Sequence, residues 1–367
     1  MSDIQFLALL RNRLADAPPP ADVDWAEMVR IADRHELLFF LEKYADNMPP
    51  QLADSLEQRW VSLMAQHLAQ MQAVEDMQAA LEKAGVDYLF FKGTVTKKRY
   101  PDPMLRTMGD IDVLYRPNQQ TAFRAVMEAM GYGDFQAGRK NDTYWKKPLV
   151  CVEAHRRLIG ADSRYAEYCD GVWERARPVP GLFHGFEMAV EDEFLFNVIH
   201  LAKHLSEGGA GVRFILDVFI YHHLPMDESY VQRVLEALGL TRFYTVICQL
   251  ADHWFAGKDC AESVEKLGEF ILQSHVFGSA RIDAALQIQQ GRLRYIWKTC
   301  FPSYREMCSM YPWLGGKAAL LPVAWGMRGV TLFFRRGRVA GVMRTVCSGD
   351  KQVGQELQEM YRACGLE

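Results

Sequence analysis

The chain has 367 residues, of which 49% are hydrophobic and 24% charged, so it is globular and can bury a substantial core in two or more subdomains. A net charge of −4 argues against general nucleic-acid binding by the whole surface, while leaving room for a local basic patch. Eight cysteines between Cys151 and Cys364 form no C-x-x-C and no regular spacing, and nothing at the N-terminus resembles a secretory signal; reduced thiols in a cytoplasm are expected.

Residues 1–80 carry apolar positions at helical spacing, punctuated by Pro18-Pro19-Pro20 and Pro49-Pro50, and 51–83 reads as one or two amphipathic helices. Leu89 to Phe91 form a short apolar run of the buried-strand type, broken by Gly93. Thr94 is placed to cap a helix running to about Tyr100, on which Lys97, Lys98 and Arg99 read as a solvated face. Gly109 to Tyr115 alternates polar and apolar residues as a half-buried strand does, which puts Asp110 and Asp112 on one solvent-facing side. Leu149 to His155 reads as a further strand, with Val150, Val152 and Ala154 on one side and Cys151, Glu153 and His155 on the other. After Pro178-Val179-Pro180-Gly181, helices are expected at 191–205, 215–224, 230–238 and 243–254. The expected organisation is an N-terminal helical region (1–80), a core holding the strands (81–180) and a helical C-terminal domain (181–367).

Two carboxylates as close as Asp110 and Asp112 repel each other, and a divalent cation coordinated by both removes that conflict. Mg²⁺, or Mn²⁺ in its place, suits such an oxygen set together with substrate phosphates; two solvated aspartates at a strand end are the plain alternative. The turn at Lys92, Gly93 and Thr94 could hold a phosphate at a helix start, where free N–H groups and the helix dipole favour an anion. Arg106, four residues before Asp110, carries a planar fork suited to bidentate phosphate binding. Glu153 on the later strand reads as a further carboxylate of the site or as a strand-edge glutamate paired with Arg156 or Arg157.

The segments FFKG, RYPDP and LRTMGDIDVLY resemble the signature of the bacterial uncharacterised nucleotidyltransferase family, a branch of the DNA polymerase beta-like superfamily. The resemblance covers roughly residues 30–335, with its strong motifs at 91–114 and weaker ones at 150–157 and 197–218. It implies an α+β fold, a small mixed β-sheet nucleotidyltransferase core flanked by N-terminal and C-terminal helical regions. It also implies Asp110, Asp112 and Glu153 as catalytic metal ligands, and a nucleoside triphosphate as substrate. The superfamily places Gly or Ser where Thr94 stands, and the gap to Asp110, filled by Tyr100-Pro101-Asp102-Pro103, is longer than in most of its members.

Helix residues His200 and His204 stand at i and i+4, yet no Glu completes an H-E-x-x-H motif, which argues against a metalloprotease. By the resemblance, His155, His200, Lys203, His204, Arg213 and Asp217 are candidate substrate contacts; the alternative is a polar helix pair held by a hydrogen bond that a His or Arg donates to Asp217. Residues 307–349 contain no Asp or Glu while carrying Lys317, Arg328, Arg335, Arg336, Arg338 and Arg344 among Trp325, Phe333 and Phe334. The segment 317–344 could contact an anionic membrane surface, bind RNA, or pack with snorkelling arginines. Arg328 splits its apolar run, which excludes a transmembrane segment.

The function expected is transfer of a nucleoside monophosphate to a hydroxyl on a small molecule, protein or RNA, with release of pyrophosphate. Two readings compete: a non-catalytic nucleotide-binding or interaction module that retains the fold, and a glycosyltransferase that binds a sugar nucleotide through Asp110 and Asp112. The short strand-helix-strand unit argues against the last.

Overall fold

The computed structural model describes residues 2–137, 141–207 and 209–273, parts of 301–334, and residues 359 and 361–366. The chain opens with α1 (Ser2–Leu14) and α2 (Trp25–Arg34), passes through a 3₁₀ segment (Leu38–Asn47), and enters the 35-residue helix α3 (Pro50–Ala84). Pro50 starts α3 where a missing N–H costs nothing, and Gly85 ends it in the left-handed region at φ 68°.

Among the described residues seven strands follow: β1 (Tyr88–Phe91), β2 (Ile111–Tyr115), β3 (Gly133–Ala137), β4 (Asn141–Lys146), β5 (Val150–His155), β6 (Arg177–Pro178) and β7 (Gly185–Glu187). They form one mixed sheet in the order β3-β4-β5-β2-β1-β7-β6. The β2–β5 and β1–β7 pairs are parallel and the rest antiparallel. Helices α4 (Gly93–Thr96) and α5 (Gln120–Ala129) lie within the strand region, and the short α6 (Ala166–Asp170) and α7 (Val172–Arg175) precede β6. Further helices among the described residues are α8 (Val190–Glu207), α9 (Val212–His222), α10 (Glu228–Leu238), α11 (Thr241–Ala256), α12 (Glu262–Gln273) and α13 (Leu321–Phe334). This is the α+β arrangement expected, a mixed sheet flanked by helices.

The central strands β1, β2 and β5 are largely buried on both faces. Ile111, Val113 and Tyr115 of β2 and Val150, Val152 and Ala154 of β5 pack with Met77 and Leu81 of α3 and Phe123 and Met127 of α5. Leu89, Phe91 and Leu114 point the other way, into a core with Phe194 and Val198 of α8. That second core runs on through Ile215 and Ile247 to Phe6, Leu10 and Met28, so the N-terminal and C-terminal helices share one interior. The expectation of a half-buried β2 is corrected accordingly: all five of its residues are buried, because the helical layer covers the face that carries Asp112. A carboxylate is tolerated there because it is hydrogen-bonded.

The segment after β1 also departs from expectation. Helix α4 is four residues long and continues as a 3₁₀ turn (Lys97–Arg99), with Lys92 and not Thr94 at its N-cap position. Thr94 lies inside the helix, fully buried. The supposedly solvated basic face is largely engaged: Lys97 is buried with its Nζ 2.7 Å from Nδ1 of His67, and Arg99 donates twice to Glu193 of α8 at 2.9 and 3.1 Å. Lys98 is exposed.

In the C-terminal segment, Met307, Leu314 and Ala324 form a small buried cluster with Tyr304, Tyr311, Leu321 and Trp325 against it. Arg335, Arg336, Arg338 and Arg344, four of the six basic residues of the segment read from the sequence, lie outside the described residues. Among the described residues no helix is long and apolar enough to cross a membrane.

Candidate active site

Strand register assembles the site. β2 lies between β1 and β5, with Phe91 opposite Asp112 and Asp112 beside Glu153, so three consecutive strands bring their ends to one place. Lys92, the first residue after β1, has φ 50° and ψ −131°, a combination that favours glycine and costs a side-chain-bearing residue about 1–3 kcal/mol. From that turn its Nζ donates to Oδ1 of Asp112 at 2.6 Å. His155 follows Glu153 by two residues on the same strand face; its Nε2 lies 2.8 Å from Oδ1 of Asp112 and 3.3 Å from Oε2 of Glu153. Asp112, Glu153 and His155 each offer a ligand atom within 4.8 Å of the others. Asp110 stands just before β2, half-buried, and feels the charges of Asp112, Lys92 and Glu153.

These contacts set the protonation states. Burial, reinforced by the Asp112 charge, pushes the Asp110 carboxyl up to about 6. Burial acts the same way on Asp112, but Lys92 and the hydrogen bond from His155 outweigh it and hold that carboxyl below its usual range. The His155 hydrogen bond lowers Glu153 against the effect of burial. Burial alone would lower Lys92, yet Asp112 keeps it above its usual value. With both acceptors on Nε2, the imidazole proton is assigned to that nitrogen; Nδ1 is buried and has no hydrogen-bond partner among the described residues. Cys151 shares this strand face, but burial pushes its thiol up to about 12, which leaves it protonated and unreactive.

Three convergent carboxylates with one ammonium among them leave an excess of negative charge, which adds to burial in raising the pKa of Asp110. An oxygen-rich set of this kind fits a hard divalent cation such as Mg²⁺ or Mn²⁺. His155, read from the sequence only as a substrate contact, stands beside two of these carboxylates and hydrogen-bonds to them. The period-two pattern of β5 already placed it on the face of Glu153.

Gly93 is required by packing. A Cβ there would stand 2.9 Å from Cβ of Met108, and the Thr94 hydroxyl lies 3.8 Å from the Met108 sulfur. This close approach locks the turn onto the loop that leads into Asp110.

The remaining candidates fall into separate groups. Arg106 is buried and its guanidinium is given to Asp217 of α9, with Nε at 2.8 Å and Nη2 at 2.9 Å from the carboxylate oxygens. The Tyr100 hydroxyl donates to the same carboxylate at 2.7 Å, and Arg213 pairs with Glu36. This buried cluster ties the loop before Asp110 to α9 and turns the Arg106 fork away from a phosphate role. His200 and His204 lie with their Nε2 atoms 3.1 Å apart, stacked among Phe196 and Phe214. Lys203 lines a cavity of about 1100 Å³ beyond the C-terminal end of β5, together with Arg156, Arg157 and Arg164; Asp110, Asp112 and Glu153 do not line it.

No curated protein and no solved structure matches the chain. A family model described as an uncharacterised nucleotidyltransferase matches residues 21–256, which takes in α2, the whole sheet and the helices through α11. The chain therefore belongs to this uncharacterised nucleotidyltransferase family.

Proposed function

We propose that the protein is a metal-dependent nucleotidyltransferase that moves a nucleoside monophosphate from a nucleoside triphosphate to a hydroxyl acceptor. The observation that carries this reading is the side-by-side register of Asp112 and Glu153, with Asp110 and Lys92 at the same strand ends. The acceptor oxygen forms a bond to the α-phosphorus, the bond from that phosphorus to the bridging oxygen breaks, and pyrophosphate leaves. Glu153, with 29% of its side chain exposed against 3% for Asp112, is the carboxylate an incoming hydroxyl can reach, and it takes the hydroxyl proton. Asp110, Asp112 and Glu153 would hold the divalent ion, which when bound neutralises phosphate charge and orients the reacting oxygens.

Lys92 lies on a short tether at the mouth of the turn and can pass its hydrogen bond from Asp112 to a phosphate oxygen. His155 holds Asp112 in orientation from behind. The cationic lining of the neighbouring cavity suits an anionic group of either substrate. The free cysteines among the described residues support a reducing cytoplasm.

A second reading is favoured by one feature: Lys92 already neutralises Asp112, as it would in a nucleotide-binding module without turnover. Pyrophosphate release from each nucleoside triphosphate with Mg²⁺ and cell extract separates the two. Release that is lost in Glu153→Gln supports the enzyme. Nucleotide binding with no release in either protein supports the module.

A further inference from the structure

We propose that the corner between α11 and α12 is a zinc-binding site formed by His253, Cys260 and Glu265. His253 sits in the last turn of α11, Cys260 in the connection that follows Gly257 at φ 70°, and Glu265 in the first turn of α12. One ligand atom from each lies within 4.8 Å of the other two. In a tetrahedral zinc centre with bonds of about 2.0–2.3 Å the ligand atoms stand about 3.3–3.6 Å apart, so closure asks for side-chain shifts of about 1 Å.

The imidazole is already oriented. Nδ1 of His253 lies 2.7 Å from the carbonyl oxygen of Lys258 and donates to it, which leaves the Nε2 lone pair for a metal. A backbone carbonyl on the non-ligating nitrogen is the usual support for a metal-bound histidine. The nearby lysines are committed elsewhere: Lys258 pairs with Asp252 at 2.8 Å and Lys266 with Glu262 at 2.8 Å. The scaffold is close-packed, since Gly268 lets α12 approach Leu250 and Trp254 of α11, where a Cβ would meet those side chains at 2.9 and 3.1 Å. The ligands remain accessible, with Cys260 and His253 half-buried and Glu265 exposed, so an ion can enter from solvent and a water can fill the fourth position.

Thiolate and imidazole select zinc over magnesium, in contrast to the carboxylates at β2 and β5. The two sites therefore load different ions, and zinc here fastens α12 to α11 without entering the transfer chemistry.

The test uses the full chain and Co²⁺ as a spectroscopic stand-in for Zn²⁺. One equivalent should produce a thiolate-to-cobalt charge-transfer band that added Zn²⁺ abolishes. The band should vanish in Cys260→Ser, weaken in His253→Ala, and survive in Cys151→Ser, whose thiol lies beside the carboxylate cluster. Circular dichroism establishes that each variant is folded. Absence of the band in the parent, or its persistence in Cys260→Ser, overturns the assignment.

Discussion

Replacing Asp110 with Asn removes a carboxyl that the fold holds in an unfavourable ionisation state. Burial and the Asp112 charge raise its pKa from 3.8 to about 6. A group whose pKa is raised on folding binds its proton more tightly in the native state, so stability falls as pH rises from about 4 through about 6. A shift of about 2 units corresponds to about 3 kcal/mol, and solvent screening at this half-buried position reduces it to about 1–2 kcal/mol. In metal-free buffer Asp110→Asn should therefore be about 1–2 kcal/mol more stable than the parent at pH 7.5 and nearly equal to it at pH 4. Urea unfolding followed by tryptophan fluorescence at the two pH values measures the difference. Mg²⁺ should raise the stability of the parent more than that of the variant, since the bound ion relieves the same repulsion. A variant less stable at pH 7.5, or an offset identical at both pH values, would refute the electrostatic reasoning.

Glu153→Gln should abolish transfer while changing the unfolding midpoint little, because the side chain is partly exposed; circular dichroism and a turnover assay read the two together. Asp217→Asn should destabilise the protein by about 3–5 kcal/mol, the range for a broken buried ion pair, since it uncouples Arg106 and Tyr100; chemical denaturation checks this. Gly93→Ala should cost about 1–3 kcal/mol through overpacking against the Met108 Cβ, and adding Met108→Gly, which removes that atom, should cost less in the Gly93→Ala background than in the parent in the same assay.

The strands of the site were legible because their pattern is local. The run at Leu89 to Phe91 follows from unbroken apolarity and the alternation in 110–115 and the faces of β5 from period two, and the structure places Val150, Val152 and Ala154 together as that period requires. Long-range pairing was not legible. Nothing in the local sequence tells Arg106 that Asp217, 111 positions away, will take its guanidinium, so its fork read as free for a phosphate. Lys97 and Arg99 read as solvated for the same reason: their partners His67 and Glu193 come from helices on either side. The burial of Asp112 is not legible in the sequence because alternating polarity normally marks a wet face, whereas here residues of α8 pack on that side of the sheet and Lys92 and His155 satisfy the carboxylate. The unusual backbone of Lys92 could not be read from a residue type that rarely adopts it.

The central claim is nucleotidyl transfer, and the most direct measurement follows label from nucleoside triphosphates carrying it at the α-phosphate or, in parallel, at the γ-phosphate, with Mg²⁺ and cell extract as the source of acceptor. The account predicts α-label on an acceptor and γ-label in pyrophosphate, both lost in Asp110→Asn/Asp112→Asn. Label that stays in intact triphosphate with every nucleotide, or α-label released only as nucleoside diphosphate, would contradict it.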